Sequence, residues 1–177
     1  MWRSSPLLAV AAALGVAVAA RAQPLGIGRQ VTPDEAAGWT TEIAPDGAGL
    51  PPGHGSPAEG KAVFAAACAA CHALSPAAHP LAGPLLAGGR GTLAAPHPVR
   101  TVGSYWPYAT TLFDYIRRAM PLPAPHSLTD DQVYAVTAYV LAVNEVIGDD
   151  TVLDADNLAT IRMPNRDGFR PVWPRHD

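Results

Sequence analysis

Lysine is almost missing from this chain: Lys61 is the only one in 177 residues. Without clustered positive charge a protein cannot displace the counterions of nucleic acid, so nucleic-acid binding is excluded, and docking through a lysine-rich face goes with it. Cysteine is nearly as scarce. Its only two occurrences, Cys68 and Cys71, stand too close together to staple a useful loop, so a structural disulfide is not expected. Long apolar runs are lacking beyond residue 22, and no internal repeat is present.

The one apolar run that does occur is "PLLAVAAALGVAVAA". Arg3 precedes it as a short positive region, and Ala20-Arg21-Ala22 offers small residues where a signal peptidase reads them, which predicts cleavage after Ala22. The competing reading is an uncleaved anchor. The run is alanine-rich and shorter than the ~20 strongly apolar residues that spanning requires, so a cleaved leader over 1–22 is preferred. The expected product is exported to the periplasm, soluble, and without a membrane span. Loss of Arg3 and Arg21 leaves ten basic and fifteen acidic residues, a formal charge of about −5.

Nineteen prolines and sixteen glycines fall mostly outside the periodic segments, which predicts a loop-rich protein with a few short helices. Residues 23–57 show neither helical nor strand periodicity and read as an extended N-terminal arm. A first helix is signalled by "SPAEGKAVFAAACAAC": Ser56 as N-cap, Pro57 at the first helical position and Glu59 closing a capping box. Gly60 inside it costs about 1 kcal/mol relative to alanine, a cost usually met where another backbone comes close. A second helix is expected in "TTLFDYIRRAMP", with Thr111 as cap and Pro121 as the stop. The clearest is the third, "LTDDQVYAVTAYVLAV", with Thr129 capping, Gln132 completing the box, and Asp130 and Asp131 at the positive end of the dipole. The domain so defined runs over 58–147. Residues 148–177 carry an acidic block, then four arginines among three prolines, and read as a C-terminal arm.

The chemistry concentrates in Cys68-Ala69-Ala70-Cys71-His72. A thioredoxin-like pair needs its dithiol at the start of a helix that follows a strand, whereas this pair ends a helix and no strand pattern precedes it. A zinc site needs about four nitrogen or sulfur ligands, and His54, His79, His97, His126 and His176 repeat no paired spacing. C-x-x-C-H is the attachment sequence for c-type haem. Two thiols at this spacing reach the two vinyl groups on one porphyrin edge, and the next residue aims its imidazole at the iron. One covalent haem c, held through Cys68 and Cys71 with His72 on the iron, is the preferred reading.

Beyond the leader, Met120 and Met163 are the candidates for the sixth ligand. Met120 ends a helix between Arg118 and Pro121, a poor place for core filler, and is preferred. His–Met ligation raises the potential and closes the iron to small ligands, which suits electron transfer. A proximal imidazole usually donates its other N–H to a fixed acceptor, and the carbonyl of Pro84 in "LAGPLLAGG" is a candidate, against a plain loop proline. In "TVGSYWPYA", Tyr105, Trp106 and Tyr108 are candidates to cover the porphyrin or bind its propionates, against core aromatics; Trp106 is preferred.

From Gly60 to about Val143 the chain resembles the class I cytochromes c. The resemblance rests on the capped helix with Gly60 and Phe64, CAACH, a Gly-Pro loop, "RRAMPLP", and a last helix whose Tyr139 would meet the first near Gly60. It implies an all-α class I cytochrome c fold, here with extended N- and C-terminal arms. "GIGR", "GLPPGHGS", "TVGSYWPYATTLFDYIRRAMP", "SLTDDQVYA" and "MPNRDGF" are further similar to the cytochrome subunits of bacterial sulfur-compound dehydrogenases. Those are the haem partners of molybdenum sulfane dehydrogenase in the Sox system and of related sulfite dehydrogenases. The best-known sulfane dehydrogenase cytochromes carry two haems; this chain has one motif.

The resemblance implies an electron-transfer subunit that is not itself an enzyme. Its partners would be a molybdenum-containing sulfur or sulfite dehydrogenase and a downstream c-type cytochrome. No residue is assigned a catalytic role. Both arms are expected to wrap the partner subunit. The alternatives are a free-standing shuttle, whose arms would fold back on its own domain, and a haem enzyme or gas sensor with an open sixth position.

Overall fold

The computed structural model describes residues 27–39, 42–75 and 82–170, with side chains from 37 to 39 left aside. The leader expected over 1–22 lies outside the described residues, as do His79 and His176. The chain divides into two compact units, one ending at Thr40 and the other running from Thr41 to Asp177.

In the first unit, α1 (Pro33–Trp39) is a helix where periodicity predicted none. Its cause is local. Glu35 N–H donates to Thr32 Oγ1 at 3.3 Å and Thr32 N–H donates to Glu35 Oε2 at 2.9 Å, a reciprocal cap followed by Pro33 at the first helical position. Arg29 pairs with the same carboxylate and, as the largest cause, holds Glu35 down at about 2.

The second unit is built around one helix. Its elements are β1 (His54–Gly55), α2 (Pro57–Ala67), α3 (Val102–Tyr105), α4 (Ala109–Ala119), α5 (Asp130–Val143), β2 (Leu153–Asp154) and a 3-10 turn at Leu158–Thr160. Val133, Tyr134, Val136, Ala138, Val140 and Leu141 of α5 are all essentially inaccessible. A helix so apolar around its circumference has to be covered on several sides, and here α2, α4 and both flanking segments cover it.

The α2–α5 crossing depends on glycine. A β-carbon at Gly60 would sit 1.8 Å from the Ala135 carbonyl oxygen, and one at Gly55 would sit 2.2 Å from Ala135 N. Phe64 and Tyr139 then meet across the crossing with ring centroids 5.4 Å apart. The reciprocal caps predicted at Ser56–Glu59 and Thr129–Gln132 are both formed.

The start of α4 differs from the expectation. It begins at Ala109, with Tyr108 in the cap position and no side-chain cap bond, so Thr111 does not cap it. Asp114, three residues after Thr111, makes no cap bond either. It binds Arg118 Nε at 2.8 Å and accepts the Ile43 N–H at 3.3 Å.

The described parts of the two arms, residues 42–56 and 149–169, pack on their own domain. His54 and Gly55 pair antiparallel with Asp154 and Leu153. His54 N–H donates to Asp131 Oδ1 at 2.8 Å, and the Tyr134 hydroxyl donates to Pro51 O at 2.9 Å. Leu153, Leu158 and Met163 join the same core as α5, each at most 1% exposed. The segment is tied down further by Asn165 Nδ2, which donates to Tyr105 O at 2.7 Å, and by Arg166, 4.2 Å above the Tyr108 ring. The physical reason is apolar content: those three side chains gain more from this core than from water.

Candidate functional site: an apolar cleft at the end of α2

Helix α2 runs out at Ala67, and the chain turns back on itself. Cys68 N–H still donates to Phe64 O, while Cys71 N–H and His72 N–H both return to Cys68 O at 3.0 and 2.9 Å. This tight turn gathers the two thiols and the imidazole at one wall of a cleft of about 400 Å³. Phe64, Leu86, Val102, Leu112, Ile116, Val136 and Val140 make its floor almost wholly apolar, and Met120, Pro121 and Leu122 also line it.

No disulfide joins the cysteines. Cys71 is exposed and Cys68 half-buried, and burial, followed by the neighbouring thiol, pushes Cys68 up from its ordinary value. A dithiol redox centre works through a lowered thiol pKa, so the shift has the wrong sign for that chemistry. Among the described residues, no three His, Cys, Asp or Glu side chains are grouped where they could hold a metal ion.

His72 is fixed from two sides. Its Nδ1 lies 2.8 Å from the Pro84 carbonyl oxygen. A carbonyl can only accept, so Nδ1 carries the proton and the lone pair resides on Nε2. Gly83 lies flat against the ring: a β-carbon there would stand 2.6 Å from Cε1 and 2.7 Å from Nδ1. The loop bearing both is bonded to the motif, Gly83 N–H to Cys71 O at 2.8 Å and Leu86 N–H to Ala73 O at 3.0 Å.

The two methionines separate cleanly. Met120 follows α4 as its C-cap and faces the cleft, half-buried. Met163 is 1% exposed in the core and does not line the cleft. Of the three candidate aromatics, only Trp106 lines it, edge-on to Tyr115 at 5.8 Å. Tyr105 packs on Phe169 and Tyr108 under Arg166.

Sequence reasoning passed over Gly83 and Asn144. The "AGP" triplet marks a turn but carries no sign of which ring the glycine touches. Asn144, at the end of α5, binds Leu86 O and Gly88 N–H and so holds the far end of the same loop. An Asn just past the last apolar residue of a helix was the available signal.

The residues present fit a covalent haem: paired thiols at attachment spacing, an imidazole with Nε2 free, a glycine without which that ring could not sit there, and an apolar cleft. Comparisons with known proteins agree. The cytochrome c family model matches residues 57–144. A chain in the crystal structure of the sulfane dehydrogenase SoxCD from Paracoccus pantotrophus is 44% identical, with a TM-score of 0.72, over 84% of this chain and 72% of that one. Comparison with curated proteins finds no significant match. The chain therefore belongs to the cytochrome c family, as a mostly helical haem-c electron carrier similar to a chain of a sulfane dehydrogenase.

Proposed function

We propose that this cytochrome is an exported, periplasmic monohaem subunit. It takes electrons from a molybdenum-containing sulfur-compound dehydrogenase, of sulfane or sulfite type, and passes them to a downstream c-type cytochrome. The observation that carries this reading is the shared cleft of His72, oriented by Pro84, and Met120, in a chain 44% identical to one from SoxCD.

When bound, the haem supplies a one-electron change at its iron. The chain does the rest. Cys68 and Cys71 would hold the macrocycle through thioether bonds, and His72 Nε2 and the Met120 thioether would be the ligands of its iron. Pro84 O keeps the imidazole in one tautomer and one orientation. Trp106 walls the cleft, and the apolar floor excludes water, which disfavours the more highly charged oxidised state and raises the potential. Leu122, 74% exposed at the rim, gives the partner an apolar contact next to the cofactor.

Purification of the native protein from its host tests the assignment. Co-elution of a molybdenum subunit, and reduction of the haem when a sulfur substrate is added, are expected. N-terminal sequencing should begin at Gln23. A protein that elutes alone and is not reduced by the dehydrogenase overturns the partner assignment.

A second reading, a free-standing shuttle, is favoured by the packing of residues 42–56 and 149–169 on their own domain. Sedimentation separates the two, since a shuttle runs as a monomer.

A further inference from the structure

Pro84 can orient an imidazole only if its own loop is held still. Gly83 and Leu86 are bonded through their N–H groups to the cysteine motif and the residue after it; beyond them the loop is held by the Asn144 amide and by Thr101 Oγ1, which donates to Gly88 O at 2.6 Å. Asn144, 7% exposed at the end of α5, donates from Nδ2 to Leu86 O at 3.0 Å and to Val140 O at 2.8 Å. Its Oδ1 accepts the Gly88 N–H at 3.2 Å. Its backbone carbonyl accepts from Arg90 Nη2 at 2.6 Å, so the loop reaches back to the same residue a second time. Helix α3 closes over the amide: a β-carbon at Gly103 would stand 2.2 Å from Oδ1. The amide group thus spends one donor and one acceptor on residues 86–88 and its second donor on Val140 O, which anchors it to its own helix.

We infer that Asn144 is a positioning residue for the axial imidazole, clamping the 83–88 loop so that Pro84 O stays on His72 Nδ1. The inference rests on the proposed role of His72 as iron ligand. No apolar side chain can replace the clamp. Leucine of similar size would leave the Leu86 carbonyl and the Gly88 N–H without their partner, and the loop would open toward water to recover it.

The test uses the haem-loaded, reduced protein and reads solvent exchange of the His72 Nδ1–H by NMR. Asn144→Leu should speed that exchange by about tenfold, the factor implied by losing one hydrogen bond's net contribution. The backbone amides of α2 should be far less affected. Tyr134→Phe, which weakens the core elsewhere, should leave the ratio of His72 exchange to α2 exchange unchanged. If Asn144→Leu does not fold, Asn144→Asp is read in its place; it keeps the acceptor for Gly88 and loses both donations. Unchanged exchange, or acceleration no greater than that of the α2 amides, overturns the inference. A His72 ring without haem ring-current shifts overturns the ligand assignment and this inference with it. A haem-shifted ring with unaltered exchange overturns this inference alone.

Discussion

Gly83 lies against the His72 ring so closely that a β-carbon on it would stand 2.6 Å from Cε1. Backbone conformation is not the issue here; the ring fills the space. Gly83→Ala must displace the imidazole, because the loop is bonded on both sides of the contact. Electron paramagnetic resonance of the oxidised haem should show altered axial signals, and denaturant melts should show a loss of about 1–3 kcal/mol. An unchanged spectrum would mean that His72 does not sit on the iron.

The methionines give a paired experiment. Met120→Leu should abolish the sulfur-to-iron charge-transfer band and lower the reduction potential, with the fold retained. Met163→Leu should keep the band and cost less than about 1.5 kcal/mol, as volume-conserving core exchanges do. Optical spectroscopy of the two oxidised proteins decides it.

Tyr134 supplies an alkaline signature. Burial, then the charges of Asp130 and Asp154, pushes its hydroxyl from 10.0 up to about 12. Above pH 10 the unfolded chain releases a proton that the folded protein keeps, so the unfolded state binds fewer protons and stability falls with rising pH. The contribution is complete below pH 10 and lost through about 12. Tyr134→Phe should flatten this part of the stability profile while costing about 1 kcal/mol at neutral pH for the bond to Pro51. Denaturation followed at several alkaline pH values measures both.

Truncation after Gly148 should destabilise the domain itself. Leu153, Leu158 and Met163 are buried in the core, and each contributes about 1.5–3 kcal/mol by burial. That total rivals the ~5–15 kcal/mol by which domains are stable. Circular dichroism of the truncated protein should show a large fall in melting temperature. A melt that matches the full chain would return the segment to the role of a partner-binding arm.

The parts of the fold legible in the sequence are those whose determinants are local. Ser56–Glu59 and Thr129–Gln132 announce α2 and α5 because a capping box is complete within four residues. The cysteine motif is equally compact. Thr32-Pro33-Asp34-Glu35 repeats the Ser56-Pro57-Ala58-Glu59 pattern, so α1 was readable too; the lack of apolar periodicity after it concealed it. The packing of the arms on their own domain was not legible for a different reason. Leu153, Leu158 and Met163 are scattered through turn-forming residues, and nothing local shows that all three reach one core. Gly83 against His72 and Asn144 against Leu86 are long-range contacts of the same kind. The bond from Ile43 N–H to Asp114, far apart in the chain, is another such contact.

The two-residue ladder between His54 and Asp154 has a consequence for how the molecule is made. It joins positions about a hundred apart, and closing so wide a loop is slow and must await the later strand. Until then α5 lacks part of its cover, and the turn carrying Cys68 and Cys71 belongs to an unfinished domain. The cover of α5 is therefore completed only once the second strand is in place, long after the residues of the cysteine turn have been made.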